Sequence, residues 1–152
     1  MRAAGSRNDE ATELAKVLVH SDYRGHFSHG INRLEMYYRD VKTGSTASQG
    51  HPIILKEKGC TAWVDGNNLL GSTVSRYSMD LAINKGKQFI YQLYITYYSN
   101  GTNLAKEFGI GWVVAKGSNH FSIAGHWTLQ AEEQGLLGMA FTNTSPMGNL
   151  YT

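Results

Sequence analysis

The chain has one cysteine, Cys60, and two prolines in its 152 residues. A single thiol excludes an intrachain disulfide framework and fits a reducing compartment, so a cytoplasmic location is expected. No run of about 18 apolar residues occurs, so the sequence gives no signal for a membrane-spanning helix, and no membrane partner is expected. The opening residues, Met1-Arg2-Ala3-Ala4-Gly5-Ser6-Arg7, contain no apolar stretch of signal-peptide length. The two glycosylation sequons, at Asn100 and Asn143, would matter only in a secreted chain. Neither sign of charge dominates: 14 Lys and Arg stand against 12 Asp and Glu, and the basic residues are scattered. That balance argues against a large nucleic-acid footprint. Also absent are a Gly-x-Ser-x-Gly elbow and a phosphate-loop pattern. Gly109-x-Gly111 precedes an expected strand instead of following one, so it is no dinucleotide fingerprint. His26 and His29 are three apart with no third ligand nearby, and no metal site is expected.

What is present reads as globular. Hydrophobic content of 41% and charged content of 17% suit one folded unit with a real core. Ala11, Leu14, Ala15, Leu18 and Val19 repeat at helical spacing, with Ser6 or Asn8 available as a cap and Gly25 as a stop. A second helix is expected to open at Ser28 and stop near Gly44. On it, Ile31, Leu34, Tyr38 and Val41 form one apolar stripe. His29, Arg33 and Tyr37 form another stripe about 120° away, at about 100° per residue. Pro52–Lys56 and Cys60–Asp65 read as strands, with Lys58-Gly59 between them and Asp65-Gly66-Asn67-Asn68 as a turn after the second. Cys60 then sits in an apolar strand as a structural thiol. A helix begins at Ser72 or Thr73. Phe89–Tyr98 holds four of the nine tyrosines and no charge, and suits a strand by composition or a helix by spacing. Ile110–Ala115 reads as a buried strand, followed by the loop Gly117-Ser118-Asn119-His120. A helix from about Ser122 turns Ile123, Trp127 and Ala131 inward and stops at Gly135, before a strand over Leu136–Thr142. Such a βαβ-like order predicts an α/β (mixed α+β) fold with ligand loops at the strands' carboxyl ends.

The chemistry that can be read directly rests on Ser28, His29, Arg33 and Tyr37, and on Asn119 and His120. Arginine grips a carboxylate with two hydrogen bonds. Histidine delivers a proton near neutral pH. The set suits a 2-oxo acid, whose carboxylate is anchored while its carbonyl is protonated; the hydride must come from a cofactor. A solvated polar helix face is the plain alternative.

Several segments resemble the type-2 malate/L-lactate dehydrogenase family: Ser21–Leu34, Val64-Asp65-Gly66-Asn67-Asn68, Gly117-Ser118-Asn119-His120-Phe121, Gly135–Met139 and Phe141–Pro146. They occur in family order. The resemblance implies an NAD- or NADP-dependent oxidoreductase of 2-hydroxy or 2-oxo acids. It implies N-terminal helices over 1–50 and part of a non-Rossmann, mixed-sheet nucleotide-binding domain over 51–152. A homodimer, with the site built partly between subunits, is implied as well. By the same resemblance His29 and His120 are the acid/base candidates, with His29 favoured. Ser28, Arg33 and Tyr37 bind substrate, and Asn119 and Thr144 lie on the nucleotide side. The family pattern extends beyond the span matched here, with a helix before Ala11 and further segments after Pro146. It also runs straight from Lys85 to Ala105, so Gly86–Leu104 is expected to be foreign to the fold, such as a translated intron, or else a surface insertion. Two other functions stay open: a fragment that binds or dimerises without turnover and, last, an aromatic nucleic-acid binder.

Overall fold

A computed structural model of the chain describes residues 1–100 and 109–143, with backbone alone for 88–100. Helix α1 spans Asn8–Tyr23 and α2 spans Leu34–Lys42. Strands β1 (Ile53–Lys58) and β2 (Thr61–Leu69) lead into α3 (Gly71–Asn100), then β3 (Trp112–Ser118) and α4 (Ala124–Glu132). The sheet order is β1-β2-β3, with β1 antiparallel and β3 parallel to β2, so the sheet is mixed and the fold α/β.

Helix α1 buries Leu14, Val17, Leu18 and Ser21, which lie on one face at i, i+3, i+4 and i+7. Neither Ser6 nor Asn8 caps it. Arg7 is the cap residue, and its backbone N–H donates to the Glu10 carboxylate 3.2 Å away. Gly25 follows the helix at φ +75°, as its place after the last turn predicts.

The second helix departs from expectation. Between Phe27 and Arg33 the chain makes two 3₁₀ turns, Phe27–His29 and Ile31–Arg33, and only then enters α2. Gly30 separates them at φ −91° and ψ −147°, which is outside helical space. Asp22 holds the break open by accepting the Ile31 N–H at 3.0 Å. The phase of the helix shifts with it. Tyr37 and Val41 are the buried pair, whereas Ile31, Leu34 and Tyr38 are exposed.

Gly59, at φ +52°, and Cys60 make the two-residue turn between β1 and β2, so Cys60 is a half-buried turn residue and not part of a strand. Asp65–Asn68 is no terminal turn. Asn67 and Asn68 take positive φ, and β2 bulges there and continues to Leu69. The parallel unit is β2–α3–β3. Among the described residues 136–142 form no strand. Nor is β3 buried: Trp112, Val114 and Ile110 are exposed, because α3 covers the opposite sheet face, where Val64 and Val74 are buried. Phe89–Tyr98 falls within α3, which runs unbroken through Gly86 to Asn100. The expected rejoining at Ala105, and Thr144, lie outside the described residues.

One core joins the parts. Leu14, Val17, Leu18, Tyr37 and Val41 pack with Leu70, Ile123 and Trp127. Each such side chain contributes roughly 1.5–3 kcal/mol when fully buried. Helix α4 presents Ile123, Trp127 and Ala131 to this core, and Gly135 ends it at φ +74°. Among the described residues no helix is long and apolar enough to cross a membrane.

Candidate active site

The break at Gly30 makes the site possible. Had Ser28–Tyr37 been one helix, Tyr37 would lie on the same face as His29 and Arg33. Instead Tyr37 is fully buried on α2, and His29 and Arg33 sit on the preceding 3₁₀ turns. The loop after β3 then brings His120 between them. The Tyr37 hydroxyl lies 2.6 Å from His120 Nδ1. The His29 and His120 rings are 5.1 Å apart at 37°, and His26 stacks edge-on against His29 at 4.6 Å.

Hydrogen bonds fix this arrangement from below. The backbone N–H of Ser122 donates to His120 Nδ1 at 3.2 Å. A nitrogen that accepts carries no proton, so Tyr37 also donates to it, and the neutral His120 ring holds its proton on Nε2. Ser28 Oγ meets His29 Nδ1 at 2.8 Å, and Arg33 Nε donates to the Ser28 carbonyl at 2.6 Å. Arg33 is otherwise exposed, and among the described residues its terminal nitrogens have no protein partner. Asn119 is engaged at both ends: Oδ1 accepts the Gly71 N–H at 2.7 Å, and Nδ2 donates to Asp40 Oδ2 at 3.0 Å. That tie draws the His120 loop to α2 and to the start of α3.

Burial sets the electrostatics. Desolvation, helped by the charges of His29 and Arg33, pulls His120 down to about 4. His29 is also lowered, first by desolvation and then by His26 and Arg33. Burial pushes the Tyr37 phenol upward, so it stays a protonated donor. Both rings are therefore neutral at pH 7 and able to take a proton, and Arg33 supplies the fixed positive charge.

Ser28, His29, Arg33, Tyr37, Asn119 and His120, singled out in the sequence, thus converge. Asp22, Asp40 and Ser122 were not singled out. Asp22 and Asp40 act over 9 and 79 residues of separation, which no local pattern reveals. Two surface grooves, one lined by Arg76, Asp80, Lys87 and Glu133 and the other by Glu57, Lys58 and Lys85, share no residue with this cluster.

A mixed-sheet α/β chain with paired histidines, an arginine and a buried tyrosine at a strand's carboxyl end now has a defined class. The sequence model of the malate/L-lactate dehydrogenases matches residues 1–91 and 96–151. The chain belongs to that family. It is 34% identical over 146 residues to the malate/(S)-sulfolactate dehydrogenase of Methanothermus fervidus, which covers 96% of this chain and 38% of that protein. The malate dehydrogenase of Pyrococcus horikoshii is 34% identical over 143 residues, 94% of this chain and 34% of its own length. Among solved structures, malate dehydrogenase from Pyrococcus horikoshii OT3 superposes with a TM-score of 0.72 at 33% identity, over 87% of this chain and 32% of that one. Sulfolactate dehydrogenase from Methanocaldococcus jannaschii gives 0.71 at 32% identity, over 88% and 33%. The chain therefore spans about a third of the length of these relatives.

Proposed function

We propose that this chain carries the substrate side of an oxidoreductase that interconverts a 2-hydroxy acid, such as malate or lactate, with its 2-oxo acid. The observation behind this is the convergence of His29, His120 and Arg33 within one hydrogen-bonded cluster. Arg33 anchors the substrate carboxylate through the guanidinium edge opposite its bond to Ser28. Both rings have lowered pKa values, and only His120 is driven to about 4. His29, beside Arg33 and oriented by Ser28, is the acid/base, while His120 donates from Nε2 to the substrate oxygen. Tyr37 holds His120 in that tautomer, and Ser28 orients His29.

A nicotinamide cofactor, NAD or NADP, supplies the hydride when bound. The cluster fits it in its donor chemistry. Arg33 gives it a fixed cation, and Asp22 and Asp40 are turned to the Ile31 N–H and the Asn119 amide. Asn119, with both ends of its amide in use, serves such a group by placing the loop; Thr144 belongs to the same reading. A homodimer in the cytoplasm completes it, with residues 1–50 as the substrate-side helices, 51–152 as part of the nucleotide domain, and 86–104 as an addition to the family fold. Mature transcript lacking the segment between the Lys85 and Ala105 codons would mark it as a translated intron, and transcript retaining it would overturn the intron and leave a native surface insertion.

A second reading is a module that binds or dimerises without turnover, favoured by the exposed apolar sheet residues Trp63, Trp112 and Val114. Titration with NADH and NADPH, followed by assay with 2-oxo acids, separates the two. Saturable binding, with turnover lost in His29→Ala and Arg33→Ala, supports the enzyme. Turnover that survives both substitutions overturns the assignment of these residues.

A further inference from the structure

Ser122 is an unusual residue for its position. It is buried, at 4% exposure, and takes φ +64°. Asn67 and Asn68 share the left-handed region, but asparagine tolerates it and serine does so far less. Glycine would adopt this backbone freely. A serine here must therefore be held by what its side chain does.

That side chain makes two bonds. Ser122 Oγ lies 2.7 Å from the His29 carbonyl and 2.8 Å from Ser21 Oγ. A carbonyl only accepts, so Ser122 donates to His29, and Ser21 donates to Ser122. The same residue's backbone N–H donates to His120 Nδ1. One residue thus grips both histidines, one through its hydroxyl and one through its amide. Helix capping does not explain the hydroxyl: α4 is capped at Ile123 and makes no side-chain cap bond. Ser21, fully buried on α1, backs the arrangement against the core.

We infer that Ser122 is a positioning residue whose hydroxyl, driven by Ser21, locks the His29 turn against the His120 ring. The inference rests on the proposed reading of that pair as the proton-handling end of the site. It makes the distance between the rings a property of α1 and the α4 approach, and not of the 3₁₀ turn alone.

Imidazole NMR titration of the full chain tests it. The groups facing the pair are His26 and Arg33 from the His29 segment, Tyr37 and Asp40 from α2, and Asp22 at the end of α1. In the unaltered protein both rings should titrate below the ordinary histidine range and show a ring-to-ring Overhauser contact. Ser122→Ala keeps the amide and removes the hydroxyl. The His29 midpoint should then rise toward the ordinary range as water reaches the turn, and the ring contact should weaken. Ser122→Gly relieves the backbone and should give the same rise, and Ser21→Ala a smaller one in the same direction. If Ser122→Ala does not fold, the other two variants decide. Unchanged His29 midpoints in folded Ser122→Gly and Ser21→Ala would overturn the inference. Where turnover is present, kcat should fall in Ser122→Gly while KM for the 2-oxo acid holds. Absence of turnover in the unaltered protein, with the midpoints still moving in the variants, would refute the enzymatic reading and leave the coupling intact.

Discussion

Gly30 has room for a hydrogen and little else. A Cβ built there would lie 1.7 Å from Asp22 Oδ1, so Gly30→Ala must push the carboxylate aside and break its bond to the Ile31 N–H. We expect about 1–3 kcal/mol of destabilisation by denaturant unfolding, with the His29 turn displaced. On the proposed reading Arg33 acts by its shape as much as by its charge. Arg33→Ala should lower kcat/KM for a 2-oxo acid by about ten- to a hundred-fold, the kinetic equivalent of about 1.5–3 kcal/mol, and Arg33→Lys should not restore it. His120 adds a pH dependence of known sign. Its folded value of about 4 is below the value near 6.5 of an unfolded histidine, so the unfolded chain binds the extra proton first. This group's contribution to stability is complete above about 6.5 and is lost as pH falls toward 4. Unfolding midpoints across that window should drop less steeply in His120→Gln than in the unaltered chain.

Elements differ in how openly the sequence declares them. Helices α1 and α4 were legible because each buries one stripe at 3.6-residue spacing and stops at a glycine with positive φ. Trp127, at the centre of the α4 stripe, donates its indole N–H to the Phe121 carbonyl at 3.0 Å and fills the shared core. Trp127→Ala should cost about 3–5 kcal/mol in unfolding free energy and loosen the loop that carries His120. The segment before α2 was misread because its break depends on Asp22, a residue on another element that no periodicity can expose. The Asp65–Asn68 stretch shows the converse. Its residues signal a reversal, and Asn67 and Asn68 do take left-handed conformations, yet strand pairing resumes at Leu69 opposite Ser118. Composition also suggested burial for β3, but burial depends on which sheet face has a neighbour, and that is a tertiary property. The candidate residues could be named from the sequence by type and spacing; the contact between Tyr37 and His120, across 83 residues, came only from the fold.

At the scale of the molecule, the sheet has one covered face and one open one. Val64 lies under α3, while Trp63, Trp112 and Val114 face outward and Lys116 lies 5.8 Å over the Trp63 ring. The sheet order carries a further consequence, which concerns time. Strands β1 and β2 meet across a two-residue turn, whereas β2 and β3 pair residues about fifty apart, with α3 between them. A hairpin of that kind closes in roughly 1–10 μs, and distant parallel pairing is much slower. Pulse-labelled hydrogen exchange during refolding should therefore protect the β1–β2 amides first and the β3 amides last. Because the Asn119–His120 loop hangs from the end of β3, and Ser122 beyond it holds the His29 turn, the cluster should assemble only when the last strand arrives. The site is then the final thing the chain builds, and the interval before β3 docks is when an unfolding stress or a protease would find it.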